Sequence, residues 1–496
     1  MPVPFNYIPA GNGVRVPLFY AEMDNSQANY QSNVVRSLLI GQKLSTGSAL
    51  NNVPYLLSSQ GQAITLFGRG SMIARMYSIF RLSNPVGECW AIAAIDNGSG
   101  VAATGTITVN TAATSAGSIN FYIAGQIVSV AVGATDTAAT IAASINTAIN
   151  AATDLPVTST VATAVVTLTC RWKGITGNDI TVQDSFRGSA AGETLPAGVT
   201  LTYVAMASGT LNPTLAATIS AMGDDAYDFV IHPYSDAISL ASLATEYGDS
   251  AGRWSWYRQV YGHCYTALRG TLSTLTTAGS LNNDPHHTIA AIDNDCPHPI
   301  WEYAAAYGAR NAVYIAADPA RPTQTGQLTG LIAPRAGKRF LWSDRNSLLN
   351  YGIATSSIVS GVIQIERAIT TYQKNSASIA DVSYLDSEIL HTAAYVIRFL
   401  QAAITSKYAR HKLASDGTRF GAGNAIVTPA TIRAELIAAY DILVYLGVVE
   451  NRDTFVQYLI VERDVTNINR LNILFPPDYV NQLRVFAVLN QFRLQY

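Results

Sequence analysis

The chain has 496 residues, of which 49% are hydrophobic and only 13% are charged. This length predicts about three domains, and the small number of charges predicts a subunit that is buried among neighbours. The 31 basic and 33 acidic residues give a formal net charge of -2, which argues against direct binding of nucleic acid.

The sequence also bears on compartment and targeting. No apolar run reaches about 18 residues, so we expect no membrane span. Prolines follow Met1, so we expect no signal peptide. The cysteines are far apart and form no CxxC pair, which is typical of reduced thiols in a cytosolic product. They are Cys89, Cys170, Cys264 and Cys296.

The first 25 residues predict an extended N-terminal arm. Four prolines, Gly11 and Gly13 exclude a helix here. Val14–Glu22 has strand character, with a proline that an edge strand tolerates.

The next segment, residues 26–96, predicts short mixed elements. We expect a helix at Gln27–Leu39 and a short apolar segment followed by a turn over Tyr55–Gln60 and Ala63–Gly68. A helix is expected at Met72–Leu82 and a strand at Glu88–Ile95. The glycines of Gly68–Ser71 precede a helix, where phosphate can bind. No Lys-Ser/Thr pair follows them, so nucleotide binding is a minor alternative.

Residues 97–206 are rich in Ala, Thr, Gly, Ser and Val, and they predict an inserted β-rich domain. We expect several strands and one helix, capped by Asp136, in which Ile141, Ile145 and Ile149 share a face. The insertion carries no catalytic constellation.

From Thr214 onwards, strands and helices alternate at a spacing that predicts a mostly parallel sheet. Strands are expected at Tyr227–His232, Gln259–Cys264 and Thr288–Asp293. A helix is expected at Pro299–Gly308, followed by a strand at Ala312–Ala316.

The same region contains the residues that would support an enzymatic function. His286, His287, Asp293, Asp295 and His298 form a conceivable metal site. Cys296 beside His298 forms a conceivable thiol nucleophile with its base. Neither spacing matches a defined signature, and a polar loop between domains is the simpler interpretation. Two further histidines of the same region are His232 and His263.

After Gly361 the pattern becomes helical, with a long amphipathic segment at Leu385–Leu413. Its end is basic, which suits either the helix dipole or an acidic partner. Thr428-Pro429 predicts the start of another helix, which should end at Gly447. Strands are expected at Tyr458–Asp464 and Arg470–Phe475.

The last stretch, Val480–Tyr496, predicts a terminal strand. Phe492, Leu494 and Tyr496 alternate with polar residues, and Leu483–Leu489 is almost wholly apolar. No return strand follows. The strand therefore fills an edge of its own subunit, for example by pairing with the N-terminal arm, or it is donated to another chain.

Several long stretches resemble the tail sheath proteins of contractile-tailed phages, in their Mu-like branch. The resemblance covers nearly the whole chain. It is carried by VPLFYAEMDNS (16–26), GRWSWYRQVYGH (252–263), ADPARPTQT (317–325), ITTYQKN (369–375), SYLDSEILHTAAYVIRFL (383–400), TSKYARHKLASDGTRFG (405–421), VTPATIRAELIAAY (427–440) and NQLRVFAVLNQFR (481–493).

The resemblance implies a multidomain α/β and α+β fold with a middle domain called subtilisin-like. Neither an HGT-type histidine motif nor a GTSxA-type serine motif occurs here, so no protease activity is implied. We expect no catalytic, cofactor-binding or metal-binding residues. The expected domains are an N-terminal arm (1–25), a subtilisin-like sheath domain (26–96 plus 207–360), an inserted outer β-rich domain (97–206), a tube-facing helical/β domain (361–479) and a C-terminal arm strand (480–496).

The resemblance also implies an assembly. Both arms reach neighbouring copies, and hexameric rings stack helically around a tail tube. Contraction then drives the tube through the host envelope. The implied partners are other copies, the tube protein, and baseplate and tail terminator proteins. The implied location is the virion tail, assembled in the host cytoplasm. The alternatives are a hydrolase using the Cys296 region, or a tail tube or baseplate protein.

Two sets of residues are expected to make these contacts. The arm strands would pair through Val14, Val16, Leu18, Tyr20, Leu483, Val485, Phe486, Val488, Leu489, Phe492 and Leu494. A basic patch facing the tube would comprise Lys374, Lys407, Arg410, Lys412 and Arg419.

Overall fold

A computed structural model describes residues 35–421 and 423–495 of the chain. These residues form a mixed α/β structure with a mostly parallel sheet between helices, a β-rich insertion and a helical C-terminal part. The expected N-terminal arm, residues 1–25, lies outside the described residues.

The strands and helices of the described residues follow one another closely along the chain. The strands are β1 (Arg36–Gln42), β2 (Pro54–Leu56), β3 (Glu88–Ala94), β4 (Thr104–Val109), β5 (Gly117–Ile123), β6 (Gln126–Val132), β7 (Val157–Ala162), β8 (Val165–Cys170), β9 (Val182–Asp184), β10 (Leu201–Ala207), β11 (Phe229–Ile231), β12 (His263–Arg269), β13 (His287–Ile292), β14 (Thr355–Val359), β15 (Val362–Arg367), β16 (Lys412–Leu413), β17 (Ile426–Val427), β18 (Ile460–Arg463) and β19 (Leu471–Leu474). The α-helices are α1 (Gln60–Phe67), α2 (Met72–Ser83), α3 (Ala138–Ala151), α4 (Ala216–Met222), α5 (Ala237–Tyr247), α6 (Leu272–Ser280), α7 (Ile300–Ala317), α8 (Trp342–Asn350), α9 (Ser387–Tyr408), α10 (Pro429–Tyr445) and α11 (Arg452–Tyr458).

A six-stranded sheet with the order β13-β12-β11-β1-β3-β2 lies at the centre of the middle region. All of its pairings are parallel except that of β2 with β3. Leu38, Leu39 and Ile40 of β1 are completely buried, as a parallel strand covered on both faces requires. The predicted parallel sheet is confirmed.

Helices cover both faces of this sheet. On one face α2 and α7 pack against each other, over residues such as Ile231 and Tyr265. On the other face α4 and α5 cover Val230 and Cys264. Side chains of successive strand residues therefore enter different layers of the core.

The insertion contains two antiparallel sheets, with the orders β10-β4-β8-β7 and β6-β5-β9. Helix α3 packs on them through Ile141, Ile145 and Ile149, all completely buried, as predicted. The base of the insertion joins the middle region, where the Trp172 and Trp301 rings lie 5.2 Å apart.

In the C-terminal part, α9, α10 and α11 pack with the β18–β19 hairpin around a separate core. The rings of Tyr440 and Phe455 stack at 3.7 Å in its centre. Thr428 caps α10 and Pro429 is its first residue, both as predicted.

Two predicted elements of the middle region are wrong. Instead of the C-terminal part of a helix at Gln27–Leu39, the structure has the strand β1 from Arg36; residues before Val35 lie outside the described part. Periodicity does not separate a short buried helix from a buried strand. Instead of a strand at Ala312–Ala316, helix α7 continues through Gly308 to Ala317.

Two smaller predictions also need correction. Ala63–Gly68 is largely part of helix α1, which Ser59 caps. Thr137, not Asp136, caps α3, because its hydroxyl accepts from Thr140 N at 3.2 Å. The Asp136 carboxylate accepts instead from Gly133 N at 2.6 Å.

Candidate functional site

The C-terminal arm, here residues 480–495, begins from a fixed base. After β19, Glu450 N donates to Asp478 O at 2.8 Å and Val480 N donates to Val448 O at 3.2 Å. Tyr479 forms an isolated antiparallel bridge with Val449. These backbone contacts hold the start of the C-terminal arm along the segment that follows α10.

Arg484 then ties the C-terminal arm to the first turn of α9. Its guanidinium lies 3.2 Å from both Asp386 Oδ1 and Glu388 Oε1, and we call these three residues the arm clamp. Nearby, Gln482 Nε2 donates to Ala320 O at 3.1 Å. The arm therefore crosses from the C-terminal core to the middle region before most of its apolar residues.

The carboxylates of the arm clamp have further partners. Asp386 accepts two hydrogen bonds from Arg367, at 2.8 and 2.9 Å. Glu388 is completely buried and accepts from the backbone and hydroxyl of Thr323, at 2.9 and 2.8 Å. Arg484, only 11% exposed, supplies a positive charge to this buried carboxylate. Buried ion pairs of this kind hold their geometry because an unpaired buried charge is costly.

The apolar residues of the arm lie in solvent. Their exposed fractions range from 60% for Leu483 to 94% for Leu494. Within residues 35–421 and 423–495, no β-ladder includes any residue of 481–495. The exposed apolar residues of the arm are Leu483, Val485, Phe486, Val488, Leu489, Phe492 and Leu494. Contiguous exposed apolar surface of this kind is typical of an interaction site.

The N-terminal residues expected to pair with it, Val14, Val16, Leu18 and Tyr20, lie outside the described residues.

The predicted basic residues are exposed but are not one patch. Lys407, Arg410, Lys412 and Arg419 follow one another at and after the end of α9. Lys374 lies in another loop, where its backbone N donates to Asn283 Oδ1 at 2.9 Å. Lys407 forms an ion pair with Glu435 at 2.5 Å, which reduces the free charge.

The structure separates the residues of the conceivable metal site. His286 and His287 lie at the start of β13, whereas Asp293 and Asp295 follow its end, about 20 Å away for a strand of this length. Asp293 accepts from Phe340 N at 2.6 Å and Asp295 pairs with Arg335. His287 lies instead beside His232 and Cys264.

The Cys296 thiol does not have the environment of a nucleophile. It is completely buried and donates to Ile332 O at 3.7 Å. Burial raises the pKa of Cys296 to about 12, whereas catalytic thiols have lowered values. The ring of His298 is directed to Glu302 Oε2, at 2.7 Å.

The glycine turn before α2 is closed as well. Ser71 caps the helix by accepting from Ala74 N at 3.2 Å. A side chain at Gly70 would lie 2.6 Å from Thr153 O of the insertion. The start of α2 is thus covered by protein and offers no phosphate site.

The arm clamp was not predictable from the sequence, since Arg484 and its partners lie about a hundred residues apart along the chain. One sequence feature does point to it, because Arg484 is the single charged residue in Leu483–Leu489.

Among the helices of residues 35–421 and 423–495, none is both long and apolar enough to cross a membrane.

Two family models match the chain. The phage tail sheath protein central domain matches residues 209–371, and the phage tail sheath C-terminal domain matches residues 380–493. The second match includes the arm clamp and most of the C-terminal arm. The class of protein is therefore a structural component of a phage tail.

A curated relative extends this match to the whole chain. The Mu-like prophage FluMu tail sheath protein of Haemophilus influenzae is 39% identical over 497 residues, which cover 100% of each chain. The chain therefore belongs to the phage tail sheath family, in its Mu-like branch. The predicted resemblance is confirmed. The chain is a structural protein of a contractile tail and not an enzyme, so the hydrolase alternative is wrong.

Solved sheath structures are more distant. The sheath tail protein of Desulfitobacterium hafniense is 11% identical, with a TM-score of 0.46 over 94% of this chain and 100% of that chain. The sheath tail protein of Listeria innocua is 11% identical, with a TM-score of 0.48 over 90% and 92%. A chain of the anti-feeding prophage baseplate, solved by cryo-electron microscopy, is 10% identical, with a TM-score of 0.47 over 97% and 100%. The family membership rests on the sequence matches.

Proposed function

We propose that the chain polymerises into the sheath by donating residues 485–495 as a β-strand to a neighbouring copy. The observation that carries this proposal is the exposed apolar arm beyond the arm clamp. Strand addition satisfies the backbone of an extended segment and buries its alternate side chains.

The alternation of the arm suits a strand that lies on a sheet with one buried face. Phe486, Val488, Phe492 and Leu494 occupy even positions and would share one face. The odd positions after Leu489 are polar. A receiving copy would therefore bury the face of the strand that carries the even-numbered residues. Gln491 and Arg493 would lie on the opposite face.

The energy of one exchange is small, which suits a polymer. Burying four apolar side chains contributes roughly 1.5 to 3 kcal/mol each. Association costs about 4 to 15 kcal/mol. A single exchanged arm would give a weak pair, whereas a lattice in which every copy gives and receives an arm would be cooperative. Head-to-tail contacts that do not close form helical filaments.

The wider assembly follows from family membership. N- and C-terminal arms would join hexameric rings that stack helically around a tail tube. Flexible arms would let rigid bodies rotate and repack during contraction without separating. In this proposal residues 26–96 and 207–360 form a subtilisin-like sheath domain, and residues 97–206 form an outer domain. Residues 361–479 face the tube. Baseplate and terminator proteins bind the two ends of the virion tail.

We place the tube contact at the end of α9. Arg410, Lys412 and Arg419 are exposed there and would meet an acidic tube surface. Lys407 contributes less because Glu435 pairs with it, and Lys374 belongs to a separate surface.

Single substitutions in the arm test the strand-donation proposal. We expect the wild-type protein at high concentration to form striated tubes in negative-stain electron microscopy, and Phe486→Asp and Phe492→Asp should each abolish them. The matched control Gln491→Asp, on the polar face, should still form tubes. All variants should keep the wild-type Tm, because these side chains are exposed in the single chain. Tubes from both Phe variants would contradict the proposal.

A further inference from the structure

Three residues far apart in sequence converge on one face of the central sheet. Val230 pairs with Cys264, and Cys264 pairs with His287, in parallel register. His232 lies two positions after Val230, so it shares the same face. The register alone therefore places His232, Cys264 and His287 together on the side that α4 and α5 cover.

The donor atoms of these three side chains are close. One ring nitrogen from each histidine and the Cys264 Sγ all lie within 4.8 Å of one another. His232 and Cys264 are completely buried and His287 is 2% exposed. Two imidazoles and a thiol are the ligand types that Zn²⁺ prefers.

Three of the four histidine nitrogens at this cluster lack a hydrogen-bond partner of normal geometry among the described residues. Among the described residues, neither ring nitrogen of His232 nor Nε2 of His287 makes a hydrogen bond of normal geometry. Buried polar atoms are nearly always paired, so these nitrogens need an explanation. A bound cation would use one lone pair from each ring.

A hydrogen bond to Asp284 also orients the His287 ring. Its Nδ1 donates to Asp284 Oδ2 at 2.8 Å, which leaves Nε2 as the nitrogen with a free lone pair. Asp284 is itself held, because its Oδ1 accepts from His286 N at 2.9 Å. A carboxylate that fixes the tautomer of a ligating histidine is the usual outer shell of a zinc site.

We propose that His232, Cys264 and His287 bind one zinc ion, which links β11, β12 and β13 in the middle of the sheath subunit. On binding, the Cys264 thiol releases its proton to solvent, and the thiolate forms the metal–sulfur bond. Three protein ligands leave a fourth position for a water molecule. The proposal is independent of strand donation.

The test uses the full-length protein produced in medium that contains Co²⁺ in place of Zn²⁺. After gel filtration, the wild-type protein should carry one cobalt per chain and show the near-ultraviolet absorption of a thiolate–cobalt bond. Cys264→Ser should lose both, whereas the control Cys89→Ser should keep both, since Cys89 is equally buried but lies on β3. Asp284→Asn keeps all three ligands and should weaken metal affinity about 10- to 100-fold.

A second readout is thermal stability. Added Zn²⁺ should raise the Tm of metal-depleted wild-type protein in a concentration-dependent way, and should not raise that of Cys264→Ser. Folded wild-type protein without cobalt and without a Zn²⁺-dependent Tm would overturn the proposal. An absorption band that survives in Cys264→Ser would overturn it as well.

Discussion

Arg484 lies in an apolar run, and its partners are on a distant helix. The guanidinium meets Asp386 and the buried Glu388, so it fixes the point at which the C-terminal arm leaves the folded part. The sequence predicts an arm over Val480–Tyr496, whereas the structure divides it into an anchored base and an exposed apolar segment. A truncation that removes the base would therefore disturb the fold as well as assembly.

Replacing Arg484 should destabilise the subunit. Arg484→Ala leaves the buried Glu388 carboxylate without a counter-charge, and breaking a buried pair in this way costs about 3 kcal/mol. Urea denaturation at low protein concentration would measure the loss in the free energy of unfolding. The control is Arg452→Ala, whose pair with Asp441 is almost half exposed, and it should cost less than about 1 kcal/mol. Equal losses in the two variants would contradict a buried clamp.

His391 should make stability depend on pH. Burial lowers its pKa from 6.5 to about 4, with Asp228 opposing this shift and Arg398 adding to it. Between these values the unfolded chain binds a proton that the folded chain does not. The stability is therefore present above pH 6.5 and is lost as the pH falls towards 4.

The measurement is the free energy of unfolding between pH 7.5 and 4, for wild type and His391→Gln. As the pH is lowered, the free energy of unfolding of His391→Gln should fall less steeply than that of wild type, by up to about 1.4 kcal/mol per pH unit. Glutamine can keep a hydrogen bond to Tyr265 OH, which lies 3.0 Å from His391 Nε2. Identical slopes would show that His391 titrates in the folded protein as it does in the unfolded chain.

At the level of secondary-structure elements, the length of helix α7 was not predicted from the sequence pattern. Gly308 suggests the end of a helix, but it lies inside α7, where a side chain would come within 2.5 Å of Ile231 Cγ1. The glycine allows the helix to approach the central sheet closely. Strongly periodic helices and alternating strands were predictable, as α2 and the insertion show. The buried strand β1 was not, because its apolar run fits either element.

Substituting alanine at Gly308 of α7 and at Gly61 of α1 provides a matched test of this close approach. Gly308→Ala raises helix propensity but should destabilise the protein by about 1 to 3 kcal/mol, because the added methyl overpacks the contact with β11. Gly61→Ala in α1 meets nothing within 4 Å and should stabilise the protein by up to about 1 kcal/mol. Thermal unfolding of both variants checks the pair. A Gly308→Ala protein as stable as wild type would mean that α7 does not depend on this close approach.

At the scale of the whole molecule, long stretches near the N-terminus and from residue 252 onwards predicted the family, which the 39% identity over the full length confirms. The small number of charges predicts a subunit buried among neighbours, and this stays a prediction. The grouping of His232, Cys264 and His287 was not predictable, since it depends on strand register across three separate strands. The pairing of the arm involves a second copy of the chain, so strand donation stays a proposal.

The central claim is that the exposed segment of the arm assembles the sheath and is not needed to fold the subunit. The most direct measurement compares full-length protein with a truncation that ends at Arg484, by negative-stain electron microscopy and thermal unfolding. The truncation keeps the arm clamp, so we predict an unchanged Tm and no tubes, whereas full-length protein forms long striated tubes. Tubes from the truncated protein would contradict the account.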